Sequence, residues 1–187
     1  MTAIHLPAAT RQATKWRNGL GVTREIASAP PGATLDAFDW RVSMADLNGA
    51  APFSIFHGVD RILTVVAGTL ELRFAARGTM RLTPQDAPLA FAGDDGCVGE
   101  ALGGGAIDLN VMVRRGVFSA SVGRVAGAVA VASPLCLLVA LSPSRATFGG
   151  QSWELAQYDA LLLRDESGIL DLTTDALLIG LKEAATP

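Results

Sequence analysis

Three short stretches carry the residues whose types and spacing could do chemistry. The first is Lys15-Trp16-Arg17-Asn18-Gly19-Leu20-Gly21-Val22-Thr23-Arg24-Glu25-Ile26. It packs an aromatic ring, an amide, two glycines and charges of both signs into a loop that feeds a strand, a common setting for a binding site. From Val22 onward the two-residue period of a strand puts Thr23 and Glu25 on one face, with Val22, Arg24 and Ile26 on the other. The second is Trp40-Arg41-Val42-Ser43-Met44-Ala45, in which Arg41 and Ser43 alternate with large apolar residues. In the third, Ile107-Asp108-Leu109-Asn110-Val111-Met112-Val113, the residues Asp108, Asn110 and Met112 share a face. If these polar faces turn into one barrel, they make a small hydrophilic cavity inside an apolar wall, the usual form of a small-molecule site. Charges buried there need partners, and Glu25 with Arg41 is such a pair. The opposite arrangement, with the polar faces wet and the Trp and Met faces as core, has the same periodicity. Pattern alone leaves both open.

His57-Gly58-Val59-Asp60-Arg61 is a further candidate. It reads either as a His–Asp acid–base pair or as a turn whose imidazole bonds locally. His5 and His57 are the only histidines, which argues against a zinc or iron site of two or three His. Cys97 and Cys136 form no C-x-x-C pair, and Cys136 sits in an apolar run, so it reads as inert core. No serine nucleophile elbow is present. Gly103-Gly104-Gly105 lacks the lysine of a phosphate-binding loop.

The elements that must position these residues are short strands. Runs of strand type occur at Trp40 to Ala45, Ile62 to Val66, Thr69 to Phe74, Ile107 to Val113, Ala128 to Ala132, Leu137 to Leu141, Ala160 to Leu163 and Ala176 to Leu181. Turn signals at Pro30-Pro31-Gly32, Asn48-Gly49, residues 93–96, residues 103–105 and Gly149-Gly150 separate them. No long window keeps a helical period. The pattern predicts an all-β barrel or sandwich. Leu82, Asp86, Ala87 and Leu89 repeat the spacing of Leu155, Asp159, Ala160 and Leu162, a hint of two similar halves.

The 187 residues are 50% hydrophobic and 18% charged, enough for a sizeable core. A net charge of -3 and the absence of a basic stripe disfavour nucleic acid as a partner. Two cysteines make no secreted disulfide framework. Residues 1–12 lack a basic segment followed by an apolar run. The uncharged run Val125 to Ser144 has the length of a membrane span but is broken at Ser133-Pro134, and its Val/Ala alternation predicts a buried strand. These features together predict a cytoplasmic protein with no membrane partner.

The segments Lys15 to Ile26, Trp40 to Ala45, Pro52 to Gly68 (PFSIFHGVDRILTVVAG) and Asp108 to Gly116 (DLNVMVRRG) resemble, in that order, the HutD/Ves family of bacteria. The resemblance covers about the first 116 residues; the remainder matches in length and β character. It implies a bicupin, two small antiparallel β-barrels of the cupin-like (RmlC-like jelly roll) type in one chain. Residues 1–116 would form the first barrel with the ligand pocket, and residues 117–187 a degenerate second barrel completing one compact unit. HutD proteins are linked to histidine-utilisation operons and are thought to bind a small acid of that pathway and modulate it, without an established catalytic activity. The Ves branch is described as stress-induced.

A metallated cupin places H-x-H and then a Glu ahead of the glycine that ends its strand. Counted back from Gly68, Arg61 stands at the Glu position, and at most one ligand survives. A guanidinium there points to an anion-binding pocket, since its planar fork suits a carboxylate. The resemblance and the residues thus imply a metal-free, cofactor-free pocket with no catalytic residue assigned. Its ligand would be a small carboxylate of the urocanate or formiminoglutamate class. Arg61 and Arg41 would clamp the acid; Asn18, Thr23 and Asn110 would supply neutral hydrogen bonds. Trp16 would wall the mouth beside Lys15, with Ser43 on the inner face. Glu25 would orient Arg41 or read an amine or formimino group. The alternatives are a cofactor-free isomerase or hydrolase with Glu25 or His57 as base, and a stress-related interaction protein. Barrel edges left open are compatible with a homodimer.

Overall fold

Strand-forming runs punctuated by turn residues give an almost purely β chain. A computed structural model describes residues 2–16 and 19–184. Apart from one 3-10 turn at Ala8–Thr10, its regular elements are strands. In chain order these are β1 (Thr2–Leu6), β2 (Ala13–Lys15), β3 (Gly21–Ala29), β4 (Trp40–Leu47) and β5 (Ala50–Pro52). Next come β6 (Val59–Phe74), β7 (Gly78–Leu82), β8 (Leu89–Ala92), β9 (Cys97–Arg114) and β10 (Phe118–Val131). Last are β11 (Leu135–Ala140), β12 (Ser144–Phe148), β13 (Gln151–Leu155), β14 (Ala160–Arg164) and β15 (Gly168–Glu183).

The chain divides into two compact units, residues 12–117 and residues 1–11 with 118–187. The first is built on an eight-stranded sheet ordered β2-β3-β4-β9-β6-β7, with β5 on β9 and β8 on β6. The second is built on a seven-stranded sheet ordered β1-β14-β11-β15-β12-β13, with β10 on β15. Each is a small antiparallel barrel of the cupin type. One boundary differs from the 1–116 and 117–187 division read from the sequence. Strand β1 pairs with β14, Ile4 opposite Leu162, and so belongs to the second barrel. Its Ile4 and Leu6 have no distinctive local signal; the partner that fixes them lies more than 150 residues away.

The two central strands are longer than their sequence punctuation predicts. Gly68 does not end a strand, and Gly103-Gly104-Gly105 is not a turn between strands. Both lie inside the β6–β9 pair, where the register shifts between Gly68 and Thr69. Gly68 adopts φ +72°, and a Cβ there would collide with the Gly105 carbonyl oxygen. The ribbon therefore bends with two glycine backbones in contact. The Val/Ala run also differs from expectation: β10 pairs with β15 alone, and most of residues 118–130 are partly or fully exposed. Its small side chains occupy an edge strand rather than the core.

Candidate ligand-binding site in the first barrel

Strand pairing brings the three polar faces together. Thr23 lies opposite Ala45, which lies opposite Asp108, which lies opposite Val65. One pleat along, the row is Glu25, Ser43, Asn110 and Leu63. The next is Ser28, Arg41, Met112, Arg61 and Phe91. From these rows Thr23, Ala45, Asp108, Glu25, Ser43, Asn110, Arg41, Met112 and Arg61 line a cavity of about 830 Å³. Of the residues named from the sequence, Lys15, Trp16, Thr23, Glu25, Arg41, Ser43, Arg61 and Asn110 all line it. Asn18 lies outside the described residues.

The third row depends on a β-bulge. Glu25 pairs with Ser43 but Ala27 pairs with Val42, so Ile26 is an extra residue. It re-phases the strand and turns Ser28 to the same face as Glu25. The alternation read from Val22 onward therefore holds only as far as Glu25. Ser28 Oγ then donates to Glu25 Oε1 at 2.8 Å, and Arg41 Nε donates to Glu25 Oε2 at 2.7 Å. Glu25 thus accepts one hydrogen bond at each oxygen, from Ser28 and from Arg41. On the outer face, Arg24 pairs with Asp46.

Trp16 is held at the cavity wall from two sides. Its indole N–H donates to Thr23 Oγ1 at 2.7 Å, and its ring meets Phe53 edge-on at 6.2 Å. The indole crosses the strand directly above Gly21, where a Cβ would lie 2.7 Å from the ring. Glycine at position 21 is therefore a packing requirement.

Arg61 is 5% exposed. Its guanidinium lies 5.2, 5.8 and 5.0 Å from the ring centroids of Phe53, Phe56 and Phe91. Such contacts position a cation and partly replace its hydration. Its hydrogen bonds among the described residues, to Asn110 Oδ1 at 3.5 Å and Ser54 O at 3.4 Å, are long. Most of the five-donor fork is left for another acceptor. Burial draws its pKa below the ordinary arginine value, while the charge of Asp108 opposes that. Asp60, next to it in sequence, instead bonds Arg115 on the surface at 2.8 Å.

Asp108 is the residue that the sequence reading left out of the ligand set. It is 1% exposed, lines the cavity, and neither carboxylate oxygen has a hydrogen-bond partner among the described residues. Burial raises its pKa to about 7; Arg61 pulls it down and Asp46 pushes it up. The signal was present in its alternation with Asn110. The missing donors were not, because they depend on Ala45 and Val65 being its cross-strand neighbours.

His57 is not part of this site. Its side chain is 87% exposed, and Nδ1 lies 3.1 Å from Asp94 Oδ1 at the surface rather than beside Asp60. Among the described residues no group of three His, Cys, Asp or Glu is placed to hold a metal ion. A buried guanidinium in the cavity wall, with Glu25 committed to Arg41, does not fit the donor set of a divalent cation. Cys97 and Cys136 are free and buried, and burial raises the pKa of both thiols. No described helix is long and apolar enough to cross a membrane.

Two cupin barrels in one chain, the first lined with polar residues around a caged arginine, define a bicupin with its candidate site in one half. Comparison with known proteins narrows the class. The chain belongs to the HutD family, whose model matches residues 8–179. HutD from Pseudomonas fluorescens SBW25 has the same fold, with a TM-score of 0.85 and 25% identity over 98% of this chain and 100% of that one. A 21.2 kDa protein of Pseudomonas putida, described by its position in the hutC 3′ region, is 33% identical over 162 residues, 84% of each chain. Protein Ves of Citrobacter koseri is 42% identical over 102 residues. That match spans 54% of this chain and 52% of the Ves protein.

Proposed function

We propose that this chain binds a small carboxylate metabolite in the cavity of its first barrel and, without a metal or cofactor, modulates histidine utilisation. The observation that carries the reading is Arg61: a buried guanidinium caged by three phenylalanines, with only long hydrogen bonds to the described residues. A fixed, underused fork facing a cavity suits a ligand carboxylate. Arg41, held by Glu25, and Lys15 add positive potential nearer the cavity wall. The relative from the hutC region supports the link to histidine utilisation. The exposed position of His57 and the engagement of Glu25 favour binding over base catalysis by either residue.

Calorimetry with urocanate and formiminoglutamate tests the reading. Arg61→Ala should weaken binding by about 1.5–3 kcal/mol, ten- to a hundredfold in Kd. Arg61→Lys should recover part of that, since an ammonium lacks the two-pronged contact. Unchanged affinity in a folded Arg61→Ala protein, or no binding of either acid by the unaltered protein, removes the carboxylate clamp.

A further inference from the structure

We infer that Asp108 is a second recognition point in the cavity, which selects acids carrying a cationic N–H group and gives up a proton when such a ligand binds. The inference rests on the carboxylate-binding reading of Arg61 and specifies what the other end of the ligand must be.

An ionised carboxylate accepts hydrogen bonds at two oxygens, with about four lone-pair sites. Asp108 is 1% exposed and uses none of them among the described residues. Its cross-strand neighbours, Ala45 and Val65, carry no side-chain donor. A buried polar group without partners is costly, so such groups are expected to be satisfied when the site is occupied. Asp108 is among the residues that line the same cavity as Arg61.

The spacing sets the ligand. Arg61 is opposite Met112, four residues along β9 from Asp108, but its Nε reaches back to Asn110. One pleat, about 7 Å of strand, then separates the guanidinium from the row of Asp108. A ligand bridging them carries a carboxylate at one end and a donor at the other, a few bonds apart. A cationic donor, such as an amidinium, imidazolium or ammonium, also supplies the charge that Asp108 lacks.

The charges around Asp108 make it responsive. Arg61, on β6, favours its ionised form, and Asp46, on β4, opposes it. Arg41, also on β4, is bound to Glu25 on β3; Asp46 is bound to Arg24, also on β3. Strand β5, the third neighbour of β9, contributes Ala50, Ala51 and Pro52, none of them titratable. With burial raising its pKa to about 7, Asp108 is partly protonated near neutrality. A cation arriving beside it favours the carboxylate, so the proton leaves to solvent as the ligand enters.

The test compares formiminoglutamate with glutarate, which keeps two carboxylates but has no nitrogen. Calorimetry at pH 7 is run in two buffers of different ionisation enthalpy, on the unaltered protein and on Asp108→Asn, with Asp108→Ala as the second variant should the first not fold. The expected result is at least tenfold tighter binding of formiminoglutamate, with release of a fraction of a proton. Preference and proton release should both vanish in the Asp108 variant, while glutarate affinity holds within about threefold. Equal binding of the two acids overturns the inference and leaves the Arg61 reading intact. A preference that survives in the variant does the same. Absence of binding by both acids removes the carboxylate reading and this inference with it.

Discussion

The two barrels share a structural signature but differ in what fills them. In the first, β7 leads to β8 through a turn in which Asp86 Oδ2 accepts the Thr83 N–H at 2.7 Å. In the second, β13 leads to β14 through a turn in which Asp159 Oδ2 accepts the Ala156 N–H at 3.0 Å. In both turns the Asp N–H also bonds the carbonyl three residues back, at 3.1 Å. These are the aspartates that repeat their spacing in the sequence. The interiors then diverge. The first presents Arg61, Asp108, Asn110 and Ser43 around a cavity. The second packs Leu138, Phe148, Leu161, Leu163 and Leu170 into one apolar cluster. Strands β11 and β14 are buried almost throughout, which is why they read as continuous apolar runs rather than alternations. The same barrel plan serves as a container or as a solid core, depending on which side chains occupy its inward positions.

The largest expected effect lies in the filled barrel. Leu161→Ala in the second barrel should destabilise the protein by about 2–5 kcal/mol, because it removes buried methyl groups and leaves a void. Ser43→Ala beside the cavity should cost less than about 1 kcal/mol, unlike a truncation in a packed core. Urea denaturation of both variants reads the difference; a loss at Leu161 no larger than at Ser43 would mean that the second barrel is not a close-packed core.

The next largest effect is a pH dependence carried by the hollow barrel. The pKa of Asp108 rises from 3.8 to about 7 on folding. Between those values the folded state holds a proton that the unfolded state has lost, so stability falls as pH rises from about 4 to 7 and levels off above. Linkage sets a ceiling of roughly 4 kcal/mol. Asp108→Asn should flatten this slope in ligand-free melts between pH 5 and 8. A slope that persists unchanged places the titrating group elsewhere.

A smaller effect tests the aromatic cage. Phe91→Leu removes one of the three rings over Arg61 while keeping an apolar side chain. It should weaken carboxylate binding by about 0.5–1 kcal/mol, two- to fivefold, by loosening the cation rather than removing it. Calorimetry beside a melting curve separates that from general destabilisation. The smallest effect returns to the second barrel, where Arg145 Nε pairs with Glu154 Oε1 at 2.6 Å on an exposed surface. Arg145→Ala should change stability by less than about 1 kcal/mol and leave ligand affinity unaltered.

What could be read from the sequence was what a strand's two-residue period makes local. The inward sets Thr23/Glu25, Arg41/Ser43 and Asp108/Asn110 follow from alternation, as does the Glu25–Arg41 pair once those faces meet. The rest depends on pairing between distant strands. The bulge at Ile26 that recruits Ser28, the three phenylalanines around Arg61 and the absence of donors near Asp108 have no local signature. Glycines at positions 68 and 103–105 look like turns in isolation, yet β6 and β9 carry each other through them. The run at residues 118–131 looks like core until its single neighbour, β15, is known.

Gly68 also has a mechanical consequence. It sits midway along a continuous ribbon: before it Arg61 lines the cavity, and Leu63 and Val65 join Leu70, Leu72 and Phe74 beyond it in one apolar cluster. The contact between Gly68 and Gly105 is the pivot of that lever. A methyl group at position 68 would push β6 and β9 apart at the pivot, and the displacement would be felt by Arg61 and Asp108 on opposite arms of the gap. A residue with no side chain thus sets how closely the two strands that carry Arg61 and Asp108 approach each other.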